Sequence, residues 1–440
     1  MISNGFFPEI KGNFGFGCMR LPMNNGRVDY DEFRRMIDAF LEAGFNYFDT
    51  AHGYIGGQSE TAIRDCLSSR ISREKFLLTD KLTDPYFESE EDIRPFFMKQ
   101  LELCGVDYFD FYLMHAQDAE NYPKFKRCRA YETAYELKKE GLIRHLGLSF
   151  HDEPEVLDMI LTEHPEVEIV QIQFNYLDYE SDNVKSRRCH EVCLKHNKPI
   201  VVMEPVKGGS LVNLPMEADE ILRGLNGGSN ASYALRYAAS FPNMAMIISG
   251  MSNMEQMEDN LSSMKEFTPV NEEELQAIAR VVDIFSKLDT IPCTRCRYCV
   301  DENQCPMNIV IPDIINSVNE YHMYHSVNQR EGYNLFVVGG DKGRASDCIG
   351  CGMCERVCPQ HLEIRSILEQ AAELIGHAVG GVCPFAVNEG VRVFLDESLK
   401  RFETVFPACG SSNSAIELEI GELEKYSGYE KWVDVSKAIQ

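Results

Sequence analysis

Residues 109–115 read Phe-Asp-Phe-Tyr-Leu-Met-His, a run broken only by Asp110 and closed by a histidine. Such a segment is too short for a helix and apolar enough to be covered on both faces, which is the signature of a buried parallel strand. The same texture recurs at 13–17, 47–50, 76–79, 144–149, 169–174, 200–203 and 245–249. Helical patterns fill the gaps, as at 31–43 and 130–140, with Gly44 and Gly141 placed as stops. Eight strands alternating with helices over about 280 residues predict a (β/α)8 TIM barrel, whose active site lies at the C-terminal ends of its strands.

Those predicted ends carry Asp49, Lys81, His115, Ser149, Gln173, Glu204 and Ser249. Polar residues recurring at one level are hard to explain as core packing. Gly15-Phe16-Gly17, Phe48-Asp49-Thr50-Ala51 with Tyr54 shortly after, Lys81 and Leu113-Met114-His115 together resemble the aldo-keto reductase family over roughly residues 10 to 270. The resemblance implies a catalytic tetrad of Asp49, Tyr54, Lys81 and His115 that reduces a small aldehyde or ketone with a nicotinamide cofactor. The residue types suit that chemistry. Hydride addition to a carbonyl leaves an alkoxide that needs a proton, and a tyrosine can supply it when a neighbouring ammonium stabilises its phenolate. Asp49 would hold Lys81 charged and aimed, and His115 would orient the carbonyl oxygen.

No G-x-G-x-x-G opens a helix after the first strand, so a Rossmann site is not indicated. The resemblance instead implies a cofactor laid across the barrel mouth. It assigns Ser149 and Gln173 to the carboxamide, Glu204, Pro205, Val206, Lys207 and Gly208 to the pyrophosphate, and Ser249, Gly250, Gln256 and Asn260 to the adenosine. Gly17 and Met19 belong to the same set. Many members grip the 2′-phosphate of NADP with a lysine after the last strand and an arginine six residues on, where this chain has Gly250 and Gln256. The expected cofactor is therefore NAD(H), with NADP(H) as the alternative that Lys207 would serve.

Eight of the 16 cysteines crowd into one stretch as two runs, Cys293, Cys296, Cys299, Cys305 and Cys348, Cys351, Cys354, Cys358, each closed by a proline. Three thiolates in C-x2-C-x2-C can grip one cubane, and the fourth cysteine reaches the other cluster in two-cluster ferredoxins. Two [4Fe-4S] clusters are therefore expected, one on Cys293, Cys296, Cys299 and Cys358 and one on Cys348, Cys351, Cys354 and Cys305. The third cysteine of each run argues against paired zinc knuckles. The first run has five residues, 300–304, before its last cysteine, where the second has three. Barrel and cysteines together resemble the ferredoxin-containing aldo-keto reductases, of which the PCTRCRY run at 292–298 is typical. Hydride transfer moves two electrons together whereas such a cluster passes one. The clusters are thus expected to serve a redox partner protein or to brace the segment. The alternative to the enzyme is an electron-transfer or docking module with the barrel as its scaffold.

A formal net charge of −26 would repel a phosphate backbone, so no nucleic-acid partner is expected. No run approaches the roughly 20 apolar residues of a membrane span, and residues 1–11 lack a basic segment followed by an apolar one. A cytoplasmic location is the expectation. Three parts follow: the barrel at 1–285, a ferredoxin-like α-helical segment at 286–377, and a β-rich fragment at 378–440. Between the cysteine runs a helix is expected near 314–324, with His322 and His325 on one face. GGVCPF at 380–385, FLDES at 394–398 and PACGSS at 407–412 resemble the carboxy-terminal half of prolyl-tRNA-editing deacylases. In that family a lysine of the amino-terminal half carries hydrolysis, and here the ferredoxin-like segment stands in that half's place, so Gly380, Gly381, Pro384, Gly410 and Ser411 are expected to persist only as structure.

Overall fold

The computed structural model describes residues 5–225, 227–301, 305–324, 337, 342–375, 392–407 and 416–433. Its apolar runs become eight strands: β1 (Phe14–Gly17), β2 (Tyr47–Asp49), β3 (Leu77–Leu82), β4 (Phe109–Gln117), β5 (Ile143–Phe150), β6 (Ile169–Gln173), β7 (Ile200–Met203) and β8 (Met244–Gly250). Each pairs in parallel with its neighbours in sequence, and β8 returns to β1, so the sheet closes into a barrel. Closure abolishes the sheet edges.

Inside the barrel, Tyr47, Phe111, Leu113, Ile169, Val201 and Met246 form one apolar layer system with Phe7 and Ile10 from the amino-terminal segment. Gly147 on β5 makes room for it. A Cβ there would lie 2.4 Å from Leu113 and 2.7 Å from the Ile169 carbonyl. A larger cluster, including Phe33, Phe40, Phe97 and Leu137, packs the helices onto the outer face of the strands. The expected helices appear as Tyr30–Glu42 and Ala130–Lys139, and Gly44 and Gly141 follow them with φ of 95° and 81°.

The strands differ from expectation mainly at their ends. β3 continues to Leu82 and β4 to Gln117, through polar residues that hydropathy assigns to loops. Asp80 and Lys81 have no exposed surface, because each finds a buried partner. Polarity therefore did not end the strand; it marked the site.

The chain divides into two compact units, Met1–Gln304 with Cys354–Leu362, and Cys305–Met353 with Glu363–Gln440. The cysteine region read from sequence as one part at 286–377 is divided between them. In the second unit, helix Ile311–Tyr324 packs against helix Ile364–Ile375. Ile311, Ile314, Ile315, Leu368 and Ala371 on these helices are buried. Further on, Phe394–Asp396 pairs in parallel with Lys431–Val433, and Thr404–Val405 pairs antiparallel with Leu418–Glu419. A helix, Ile420–Ser427, lies within the fragment that sequence texture marked as β-rich. The core of this fragment is Leu395, Leu418 and Leu423. His325, Gly380, Gly381, Pro384, Gly410 and Ser411 lie outside the described residues.

Helices Asn230–Ala239 and Glu272–Ser286 are tied by a buried, bidentate ion pair, with Arg236 Nη1 and Nη2 each 2.8 Å from a Glu274 oxygen. Breaking a buried pair leaves an uncompensated charge. Glu274→Ala is expected to destabilise the barrel unit by roughly 3–5 kcal/mol, read from denaturant unfolding followed by circular dichroism.

Candidate active site

Asp49 closes β2, Tyr54 follows on the next turn, and Lys81 and His115 lie on β3 and β4. All four are buried. The Lys81 ammonium donates to Asp49 Oδ1 at 2.7 Å and to the Thr50 carbonyl at 2.7 Å, and lies 3.2 Å from the Tyr54 hydroxyl. Burial works against its charge, but Asp49 and then Tyr54 hold it above the ordinary lysine value. Burial pushes Tyr54 up to about 12, against the pull of Lys81, so the phenol keeps its proton at neutral pH. His115 is driven well below its usual value by burial, then by Lys81 and His151, and is a neutral imidazole. Its Nδ1 meets Thr83 Oγ1 at 2.7 Å. The tautomer in which Thr83 donates there carries its N–H on Nε2, the nitrogen within 3.4 Å of the Tyr298 hydroxyl.

These side chains open onto a cavity of about 830 Å3, within the range of small-molecule and cofactor sites. Asp49, Tyr54 and His115 line it together with Gly17, Met19, Ser149, Glu204, Pro205, Val206 and Gly208. Ser249, Gly250, Gln256 and Asn260 line it as well. Two residues assigned to the cofactor do not. Gln173 donates to Asp178 at 2.7 Å and exchanges hydrogen bonds with Gln360, and Lys207 is paired with Asp178. Asp178 thus consumes the cation that was to compensate for the missing 2′-phosphate grip.

Sequence reasoning missed Gln171, which donates to Asp49 Oδ2 at 3.3 Å and lines the cavity. Gln171 and Gln173 share the inner face of β6, two apart, and of the pair Gln171 lines the cavity. It also missed Thr83. A third omission is larger. Thr294, Arg295, Cys296, Tyr298, Pro359 and Gln360, all from cysteine-bearing loops of the barrel's own unit, line the same cavity. The Thr294 carbonyl accepts from Arg20 at 2.7 Å and packs on Gly208, where a Cβ would meet it at 2.0 Å. Gly208 also has a φ of 62°, so a side chain is excluded twice.

The residues present fit both implied groups. The cavity reaches from the tetrad to Ser252, Asn253 and Gln256 at the start of helix Met254–Met264, a run of hydroxyls and amides suited to an extended dinucleotide. Cys293, Cys296, Cys299 and Cys358 share one unit and feel one another electrostatically. The Arg295 N–H donates to Cys293 Sγ at 3.4 Å, and the backbone N–H groups of Gln360, His361 and Leu362 face the Cys358 sulfur. Sulfurs ringed by N–H donors are prepared to carry the charge of thiolate ligands. Cys305, Cys348 and Cys351 belong to the second unit and Cys354 to the first.

The profile of the Aldo/keto reductase family matches residues 13–283. The chain belongs to the aldo/keto reductase family. The 4Fe-4S dicluster domain matches residues 292–362 and the Aminoacyl-tRNA editing domain 368–426. The NADH-specific methylglyoxal reductase of Escherichia coli is 25% identical over 288 residues, covering 55% of this chain and 86% of the relative. The holo form of an aldo-keto reductase from Bacillus halodurans superposes with a TM-score of 0.50 at 25% identity, covering 62% of this chain and 92% of that one. An uncharacterized Bacillus subtilis protein, YwhH, is 54% identical over 76 residues. That match takes in 17% of this chain and only 46% of YwhH, so the chain spans about half of that relative's length. This aldo/keto reductase is an oxidoreductase with an iron-sulfur domain. Among the described residues no helix is long and apolar enough to cross a membrane.

Behind Lys81 lies a second buried group, in which Glu60, Asp80 and Cys104 bring their side-chain oxygens and sulfur within 4.8 Å of one another. Burial pushes Glu60 from 4.5 up to about 7, and Asp80 is raised by burial and by Glu60 beside it. The folded state therefore keeps a proton that the unfolded chain releases. The stability this contributes is full below about pH 4.5 and is lost as pH rises through about 7. In Glu60→Gln that part of the pH dependence is expected to flatten, measured as the thermal midpoint across the same window.

Proposed function

We propose that the chain is an NADH-dependent reductase of small aldehydes or ketones. The observation that carries this reading is the convergence of Lys81 on Asp49 and Tyr54, with Tyr54 and His115 both facing the cavity. When bound, the nicotinamide supplies the hydride. Tyr54 delivers the proton from its hydroxyl as charge develops on the carbonyl oxygen. Lys81, held by Asp49, stabilises the phenolate left behind, and His115 Nε2 orients the oxygen.

The preference for NADH rests on charge. Glu204, Glu255 and Asp259 line the cavity beside Asp49, and its basic residues among the described ones are Arg20 and Arg295. Arg20 is engaged with the Thr294 carbonyl and Glu204. A 2′-phosphate would meet carboxylates where other family members offer a lysine and an arginine. The E. coli relative named for NADH supports the same reading.

The eight cysteines are assigned two [4Fe-4S] clusters, the first on Cys293, Cys296, Cys299 and Cys358, which serve a cytoplasmic redox partner protein or brace the segment. Cys358→Ser and Cys305→Ser should each lose one cluster's iron and sulfide. The carboxy-terminal fragment is assigned a structural role, because the ferredoxin-like segment stands where the editing family has the half whose lysine carries hydrolysis.

Anaerobic assays with a panel of carbonyls test the enzyme. Forfeiting charge-assisted phosphate contacts is worth roughly 1.5–3 kcal/mol, so kcat/KM with NADH should exceed that with NADPH by about 10- to 100-fold. Tyr54→Phe should lower turnover by about 10²–10⁴. Undiminished activity in the variant removes Tyr54 from the mechanism. Absence of turnover with every carbonyl in the parent returns the protein to the electron-transfer alternative.

A further inference from the structure

The first cysteine loop does more than offer thiols. Tyr298 stands between Cys296 and Cys299, and its side chain enters the cavity beside the tetrad. Its hydroxyl lies 3.4 Å from His115 Nε2, its ring meets the imidazole edge to face at 6.2 Å, and the Tyr54 hydroxyl is a further hydrogen-bond partner. Tyr54 and His115 are the two groups that must converge on a carbonyl oxygen. The oxygen on which they converge in this structure is the phenol of Tyr298.

The loop that carries this phenol is held from both sides. Arg20 grips the Thr294 carbonyl, which is pressed on Gly208 with no room for even a Cβ. Arg295 and Arg297 turn the chain through left-handed conformations, with φ of 56° and 70°. The backbone is therefore fixed, and the phenol leaves the oxygen position by rotation of the Tyr298 side chain.

We propose that Tyr298 is a specificity-determining residue that holds the carbonyl-oxygen position of the substrate-free enzyme, so that a substrate enters by displacing a phenol carried on the cluster-binding loop. This rests on the carbonyl-reduction reading of the tetrad. An entering carbonyl exchanges the hydrogen bonds of Tyr298 for its own and gains only the difference. The displaced ring also takes up cavity space, which restricts the site to slender carbonyls. A packing role alone would depend on the ring and not on its hydroxyl.

The test uses the cluster-loaded protein with NADH and acetate, a small carboxylate whose oxygens accept hydrogen bonds as an alkoxide does. Calorimetry gives the acetate affinity of the parent and of Tyr298→Phe, which keeps the ring and removes the competitor. With one hydrogen bond worth about 0.5–1.5 kcal/mol, acetate should bind the variant roughly 2- to 12-fold more tightly, and KM for a reduced carbonyl should fall in step. Equal or weaker binding overturns the proposal, as does a failure of acetate to bind either protein. Tyr298→Ala gives a second reading in case the first variant loses its iron. It should bind benzoate that the parent excludes, and identical exclusion overturns the proposal. Absence of carbonyl turnover in the parent would remove the reduction reading while leaving the acetate comparison intact, so the two failures are distinguishable.

Discussion

A lysine ammonium with no exposed surface is the constraint around which the barrel unit is arranged. Burying an isolated charge of this size costs several kcal/mol even after relaxation. Lys81 is tolerated because Asp49, the Thr50 carbonyl and Tyr54 surround it within 3.2 Å. Those partners come from β2 and the turn after it, while Lys81 belongs to β3, and the pairing of Asp49 with Thr79 sets one strand against the other. A one-residue slip would turn Lys81 away from Asp49. Closure of the barrel, which fixes every register at once, is what makes the charge affordable at the mouth.

The cysteine loops extend the same logic outward. Gln360 binds Gln173, the His361 ring donates to the His151 carbonyl at 2.7 Å, and Tyr298 reaches His115. Each contact joins a residue within three positions of a candidate cluster ligand to a residue on or just after a barrel strand. The wall of the cavity on this side is therefore built by iron-binding segments, and Gly208 is the point where barrel loop and cysteine loop come closest.

The strands were legible because their burial on both faces leaves apolar runs, and the candidate tetrad was legible because three chemically matched residues fall near neighbouring strand ends and Tyr54 follows the first of them. Ends of strands were read less well. Hydropathy treats Asp80 and Lys81 as solvent-facing, whereas their partners are inside. The cofactor-wall residues fell into two groups. Positions that the resemblance assigned, such as Gly208 and Gly250, line the cavity, but Gln173 and Lys207 were diverted by Asp178, a carboxylate on a loop with no motif. Tyr298 and Gln360 were invisible as site residues because they sit inside a metal-binding pattern, where intervening residues are read as spacers. Nothing in the spacing of C-x2-C tells which spacer side chain turns inward.

That coupling bears on why a hydride enzyme should carry clusters. A [4Fe-4S] cluster offers one electron and the nicotinamide reaction moves a pair, so the chemistry of the tetrad does not call for iron. Geometry supplies a reason that electron counting does not. Cys296 and Cys299 are three residues apart with Tyr298 between them, and Cys296 itself lines the cavity. Thiolates held at fixed positions on a cubane leave the intervening backbone little freedom. Ligation would then reinforce the placement of the phenol against Tyr54 and His115, so iron would shape the cavity without passing an electron to it.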